Sequence, residues 1–281
     1  MTNQITRILV ATDMSARSDR AIERAFLLAK DMALPVQALL ILDDALPEDL
    51  LSPLHEKAET QLRAICERNA NGVVFQVTVQ AGDPTEEILK ASAPADETLL
   101  VMGPHRPRPF LDGLRETTMQ RVVRRTEAPV LLATIPVTGP YGSQLSLVDY
   151  GPASTAALKL GADLTHGAPI VATHAIHVPY SGMLETTGSV QMDLQAAFLK
   201  ETEVQDADWR SETELPTALQ DKTHMLQAPP MGVVHEMTRD GRFDLITAGA
   251  HGRVGAARSY LGSLALDLMR QPPCDVLIAR G

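Results

Sequence analysis

Aromatic residues and cysteines are scarce in this chain of 281 residues. Aromatics make up 4% of the sequence, so the core must be built from Leu, Val, Ile, Ala and Met. The two cysteines, Cys66 and Cys274, lie in unlike local sequences, which argues against a disulfide framework and favours buried thiols in a reducing compartment. The apolar runs are much shorter than the roughly 20 residues of a membrane span. Because the sequence also opens without a signal-peptide pattern, we expect a cytoplasmic protein.

Basic residues are also few relative to acidic ones. Asp and Glu number 35 against 25 Lys and Arg, which gives a formal net charge of −10. A nucleic-acid binder needs a basic face to neutralise phosphates, and an anionic membrane surface would repel an acidic chain. Neither partner is expected, and the acidic surface serves solubility.

The motifs of several enzyme classes are missing. The sequence has no Gly-x₄-Gly-Lys-Ser/Thr loop, no Gly-x-Ser-x-Gly turn and no grouping of Cys, His and Asp that suggests covalent catalysis. His174 and His177 are three positions apart on a predicted strand and would point to opposite faces, so no metal site is predicted.

What the sequence does contain is one unit in two copies. Apolar runs end in Asp13 and Asp149 at an offset of 136 residues, whereas Gly103 and Gly249 follow matching runs at an offset of 146. The second copy has therefore gained residues in its middle, and we place them in the polar stretch 180–214. The predicted domains are 1–137 and 143–281, joined by a Gly- and Pro-rich linker at 136–143.

Each copy alternates short apolar strands with amphipathic helices, which predicts an α/β fold with a doubly wound, five-stranded parallel sheet of the Rossmann-like type. Asp83 and Pro84 mark the start of one helix. Ligands of such sheets bind beyond the carboxyl ends of the strands. The first-copy strands are predicted at 8–12, 36–42, 73–80, 98–102 and 130–134, and further helices at 15–33, 53–69 and 117–126.

A glycine-rich loop in the second copy is the candidate ligand-binding motif. Gly249 and Gly252 follow a strand, and Gly262 and Ser263 open a helix. Glycines let backbone N–H groups approach an anion closely, and a helix N-terminus adds unpaired N–H groups and a positive dipole end. Tight turns use glycines too, so the spacing alone leaves both a nucleotide site and a purely structural loop open.

The pattern Gly249-x₂-Gly252-x₉-Gly262-Ser263 matches the signature of ATP-binding universal stress proteins. The strand that ends in Asp149, the segment 273–278 and the segment 81–84 also resemble that family. The whole chain resembles a tandem, UspA-like universal stress protein whose units have the adenine nucleotide alpha hydrolase-like fold. The resemblance implies a stress-response protein that binds ATP or a related adenine nucleotide, with or without Mg²⁺, in its C-terminal domain. It also implies that the closing strands 130–134 and 276–279 pair within the chain as a pseudo-dimer, and it leaves a homodimer of whole chains open.

The same resemblance implies a set of nucleotide-binding residues. Val148 and Asp149 would lie beside the base and ribose, and Ala175 would contact the adenine. Helix capping by Asp149 stays an alternative for that residue, a plain loop role for His251, and a conformational role for Gly255. The ribose and phosphates would be surrounded by Gly249, His251, Gly252, Arg253, Gly262, Ser263 and Leu264.

The first copy departs from the signature, because Arg106 and Glu116 replace its second and third glycines. A long side chain and a negative charge then occupy the place of the phosphates, so we predict that the first half does not bind ATP in the family manner. For Arg106, Arg108 and Arg115 a solvated loop is favoured over a different anion site. The second copy also departs, at 228–230 and at the turn 150–152 after Asp149.

Two other functions remain open from the sequence. A scaffold or sensor that has lost nucleotide binding would use the 180–214 segment to dock a partner or to cover the site. A slow ATPase would need a base or positioned water and charge stabilisation, to which His251 and Arg253 could contribute, but no dedicated acid is evident near the loop. We therefore expect a binder or sensor and not an efficient enzyme.

Overall fold

The computed structural model describes residues 5–44, 47–104, 116–176, 188–251 and 261–281. Within these ranges no helix combines the length and the apolar character needed to cross a membrane. The first half contains β1 (Arg7–Thr12), α1 (Asp19–Met32), β2 (Val36–Leu42), α2 (Glu48–Ala70), β3 (Phe75–Ala81), α3 (Pro84–Ala91), β4 (Thr98–Met102), α4 (Thr118–Arg125) and β5 (Val130–Leu132). The second half contains β6 (Gln144–Leu147), α5 (Pro152–Thr165), β7 (Ile170–Ala175), α6 (Gly188–Glu212), β8 (His224–Leu226), α7 (Pro230–Thr238), β9 (Leu245–Gly249), α8 (Ser263–Arg270) and β10 (Asp275–Ala279).

The two halves share a single ten-stranded sheet in the order β3-β2-β1-β4-β5-β10-β9-β6-β7-β8. Strands within each half are parallel, and the halves meet where β5 pairs antiparallel with β10, with Leu132 opposite Val276. The predicted fold class and the predicted pairing of the closing strands within one chain are both confirmed. The two five-stranded units are joined edge to edge and not merely tethered.

Helices cover both faces of the sheet, because successive strand residues point to opposite sides. Leu9 of β1 packs in one buried cluster with Val122 of α4, whereas the next residue, Val10, packs in the other cluster with Ile22 of α1. Both clusters contain side chains from both halves. The core is therefore continuous across the junction on both faces of the sheet.

The predicted linker is pinned to both halves by one buried carboxylate. Asp275, at the start of β10, has no exposed surface, and Tyr141 of the linker donates its hydroxyl proton to Asp275 Oδ2 at 2.7 Å. Arg24 of α1 reaches the same oxygen at 3.2 Å and lies 4.0 Å over the Tyr141 ring. Burial and the Asp275 charge together raise the pKa of Tyr141 well above its usual value. The backbone N–H groups of Thr134 and Ile135 donate to Asp275 Oδ1 at 2.6 and 3.0 Å.

A second polar contact across the junction involves the end of α4. Arg280, 9% exposed, donates from Nε to the Thr126 carbonyl at 2.8 Å and from one terminal nitrogen to the Arg124 carbonyl at 2.7 Å. The last carbonyls of a helix lack partners within it and carry the negative end of its dipole. Arg280 from the second half thus caps a helix of the first.

Several predicted boundaries shift in the structure. Helix α1 begins at Asp19 and not at 15, because the Ser15 N–H donates to the Asp13 carboxylate at 3.0 Å and holds the preceding residues in a turn. Helix α2 begins at Glu48, ahead of the predicted start at 53, and contains Pro53 inside it. Strand β3 begins at Phe75 instead of 73. The capping of α3 by Asp83 is confirmed, since its carboxylate accepts the N–H groups of the first turn.

Most of the 180–214 segment is not an added element. Helix α6 contains 25 residues and occupies the place of α2, which contains 23 residues in the first half. Part of the extra length lies between α6 and β8, where residues 213–223 stand in the place of 71–74. Trp209 of α6 is 6% exposed and donates its indole N–H to the Thr155 hydroxyl of α5 at 2.9 Å.

The buried carboxylate of Asp275 predicts a large stability effect. Asp275→Ala leaves the Arg24 guanidinium and the Tyr141 hydroxyl buried without their partner, so the free energy of unfolding should fall by about 3–5 kcal/mol. Urea unfolding followed by Trp209 fluorescence measures the change. Asp267→Ala is the matched control, because its partner Arg270 is exposed and 4.0 Å away. Its effect should stay below about 0.5 kcal/mol, and similar losses in the two variants would contradict the prediction.

Candidate functional site

A crevice of about 240 Å³ opens in the second half at the carboxyl ends of β6, β7 and β9. This is where an open parallel sheet offers a ligand site. Its wall includes eight of the predicted nucleotide-binding residues, from three strand ends and the start of α8: Val148, Asp149, Ala175, Gly249, His251, Gly262, Ser263 and Leu264. The structure brings these residues together, and their role toward a nucleotide stays a prediction.

The two carboxylate oxygens of Asp149 have different hydrogen-bond environments. Oδ1 accepts the Gly151 N–H at 3.0 Å and the Ser154 hydroxyl, and this fixes the turn that leads into α5. Tyr150, between Asp149 and Gly151, takes a φ of 63°. Oδ2 accepts no hydrogen bond from any residue that the structure describes. Asp149 therefore shapes the turn before α5 through one oxygen, while its other oxygen is not used in that turn.

The start of α8 offers unpaired backbone donors to the same crevice. Gly262 is the N-cap residue and provides no side-chain cap. The N–H groups of Ser263, Leu264 and Ala265 in the first turn therefore have no partner within the helix. These groups and the positive end of the helix dipole form a site for an anion.

The two described glycines of the signature have different reasons to be glycine. A Cβ at Gly249 would lie 2.8 Å from the backbone nitrogen of Ser154, so the packing of β9 against α5 requires its absence. A Cβ at Gly262 would meet nothing closer than the Ala250 carbonyl at 3.5 Å, and its φ is −64°. The fold does not require a glycine at position 262, whereas close approach of an anion would.

Sequence reasoning missed part of the crevice wall. His174 was weighed only as a metal ligand, yet it lines the crevice and donates from Nδ1 to the Val148 carbonyl at 2.7 Å, which leaves Nε2 as an acceptor. Tyr150 stacks on His174 at 4.9 Å and meets the edge of Trp209 at 5.6 Å. The signal was available, because His174 directly precedes Ala175 at the end of the second strand. Other wall residues that were not predicted include Leu147, Ser154, Thr173, Pro230, Val233, Ala248 and Ala265.

Some predicted residues lie outside the described part of the chain. Gly252, Arg253 and Gly255 fall in the stretch 252–260, and His177 falls in 177–187. The first-half arginines Arg106, Arg108 and Arg115 fall in 105–115. The expectations attached to these residues stay predictions from the sequence.

The first half has a crevice at the equivalent place but a differently built helix start. Its volume is about 390 Å³, and Asp13 and Gly103 line it. Helix α4 is closed by a capping box, in which the Thr117 hydroxyl accepts the Gln120 N–H and the Gln120 side chain accepts the Thr117 N–H. Glu116, in place of Gly262, forms an ion pair with Arg124. A phosphate would meet fewer unpaired donors here, and a carboxylate beside them.

Both halves also match a known family. The profile of the universal stress protein family matches residues 4–134 and again residues 144–280. The chain belongs to the universal stress protein family.

Solved universal stress proteins share the tandem fold. A structure from Archaeoglobus fulgidus DSM 4304 covers 100% of this chain and 99% of its own, with 18% identity and a TM-score of 0.66. A second, described as a putative universal stress protein from Pseudomonas aeruginosa UCBPP-PA14, covers 99% and 94%, with 16% identity and a TM-score of 0.64. No curated protein matches the chain significantly. At these identities the likeness concerns the fold.

The tight approach of β9 to α5 gives a prediction at Gly249. In Gly249→Ala the new methyl group pushes against the α5 backbone, and the free energy of unfolding should fall by about 1–3 kcal/mol, as for other overpacked sites. Gly139→Ala is the control, because a Cβ there has nothing within 4 Å. Its effect should stay within about 0.5 kcal/mol. Denaturant unfolding of both variants makes the comparison, and equal stability of Gly249→Ala and the parent would refute the steric role.

Proposed function

We propose that this universal stress protein binds ATP or a related adenine nucleotide in the crevice of its second half, one molecule per chain, as a cytoplasmic stress-response binder or sensor. The observation that carries the proposal is the uncapped start of α8 at Gly262, which shares a crevice with the open oxygen of Asp149. An anion-binding helix end and a hydrogen-bond acceptor on one wall suit the phosphates and the base of a nucleotide.

The size of the crevice limits how the ligand would sit. At about 240 Å³ it is smaller than the roughly 300–1,000 Å³ of sites that enclose a drug-sized ligand. We infer that it encloses the base and sugar, and that the phosphates extend along the start of α8. Ser263 adds a hydroxyl oxygen there, a hard ligand of the kind that Mg²⁺ accepts.

Binding is favoured over turnover. Hydrolysis would require a base or a positioned water molecule, a metal clamp and stabilisation of charge. Among the described wall residues the only carboxylate is that of Asp149, and one of its oxygens already holds the turn before α5. We therefore propose that the nucleotide acts as a ligand that is sensed, and not as a substrate consumed rapidly.

The assembly of the chain follows from the same geometry. The pairing of β5 with β10 occupies the closing strands of both halves. A homodimer of whole chains, which stays a prediction, would need a different surface.

Calorimetric titration of nucleotide-stripped protein with ATP and Mg²⁺ tests the site. The parent should bind one ATP per chain. Gly262→Glu copies the residue of the first half and should weaken binding at least tenfold, because it places a carboxylate beside the phosphates. Gly262→Gln has the same length without the charge and should bind more tightly than Gly262→Glu.

Two further measurements complete this test. Trp209 fluorescence should change on binding, since its ring contacts Tyr150 next to Asp149. Thermal unfolding should show that both variants fold. Unchanged ATP affinity in a folded Gly262→Glu protein would reject α8 as the phosphate site, and two ATP molecules per chain would reject the view of the first half as degenerate.

A further inference from the structure

The crevice of the first half has no role in the proposed function, yet it is the larger of the two. Its volume of about 390 Å³ lies within the range of roughly 300–1,000 Å³ that is typical of small-molecule sites. It lies at the carboxyl ends of β1, β2 and β4, against α3 and α4. A cavity of this size can enclose a small organic molecule.

Its wall differs from that of the second crevice in the length of its apolar side chains. Small or polar side chains of the second half are replaced by long apolar ones at four equivalent positions. The replacements are Leu39 for Thr173, Ile41 for Ala175, Met102 for Ala248 and Met119 for Ala265. Methionines adapt to ligands of varied shape. The wall is therefore suited to the hydrocarbon frame of a small organic molecule.

The end of the crevice that would receive phosphates is less favourable to anions than its counterpart in the second half. Thr117 and Gln120 satisfy each other's backbone N–H groups at the start of α4. Glu116 lies beside them, with its charge engaged by Arg124. An anionic ligand would find fewer unpaired donors than in the second half, and a carboxylate in place of the glycine.

The mouth of this crevice carries an available negative charge. Asp13 Oδ1 accepts the Ser15 N–H at 3.0 Å and the Ser18 hydroxyl at 2.8 Å, and the Ser15 side chain also hydrogen-bonds to the carboxylate. Burial acts to raise the pKa of Asp13, but these hydrogen bonds outweigh it and hold the pKa below its usual value. The carboxylate is thus ionised and held in place, and Asp13 is exposed at the crevice, where a ligand can reach it.

We propose that the N-terminal crevice binds a small organic cation, an amine on an apolar frame, with its ammonium group on Asp13 and its frame against Ile41, Met102 and Met119. The apolar wall supplies most of the contact area, and the carboxylate selects for positive charge. This site is independent of the nucleotide site, because it uses different residues in the other half of the chain.

Fluorescence anisotropy of 1-naphthylmethylamine with the full-length protein tests the proposal. Binding should saturate at one molecule per chain and weaken as salt is added. The neutral analogue 1-naphthylmethanol keeps the frame and the O–H donor and should bind about fivefold more weakly, as expected for the loss of one partly exposed charge pair. Equal affinity for the two probes would overturn the role of Asp13.

Variants locate the site. Asp13→Asn keeps an oxygen for the turn and should weaken binding of the amine about fivefold. Ile41→Lys places a competing ammonium in the crevice and should abolish it, which supplies a second variant should Asp13→Asn unfold. Asp31→Asn, an equal change of charge at the end of α1, should bind like the parent. Saturating ATP should not displace the amine. Competition by ATP, or unchanged binding in Ile41→Lys, would place the amine elsewhere and reject the proposal.

Discussion

The buried carboxylate of Asp275 is the constraint on which the arrangement of the chain depends. Removing a carboxylate from water costs several kcal/mol unless partners replace its hydration, and here a guanidinium, a phenol and two backbone N–H groups do so. Those partners come from α1, from the linker and from the end of β5, while Asp275 itself begins β10. The charge is therefore satisfied only when β5 lies beside β10, and this selects the edge-to-edge sheet over two separately folded units.

Within that shared frame, the two halves differ at the first turn of one helix. Thr117 and Gln120 close the start of α4 with reciprocal hydrogen bonds, whereas Gly262 leaves the start of α8 open. Capping stabilises a helix by using the same N–H groups that would otherwise bind an anion. One half thus has a better-capped helix where the other has unpaired N–H groups at the helix start.

The sequence was informative where the signal is local. Apolar runs located the strands, and Asp83 with Pro84 located the start of α3. The pairing of the closing strands followed from the family resemblance. The network around Asp275 could not be predicted, because Tyr141 lies in a Gly- and Pro-rich stretch and its partners are more than 100 positions away. The start of α2 was misplaced because Pro53 suggested the first turn of a helix. The lining of the first crevice was missed because its walls come from strands and helices that are far apart in the sequence.

The antiparallel meeting of β5 and β10 has one more consequence. Every strand of the first half runs antiparallel to every strand of the second. The carboxyl ends of the two sets of strands therefore lie on opposite sides of the sheet, measured along the strand direction. The two crevices therefore open in opposite directions, and they are separated by the length of the strands. A molecule bound in one cannot touch or block a molecule bound in the other. Under the two proposals, a partner protein that approaches the chain from one side would therefore meet only one of the two ligands.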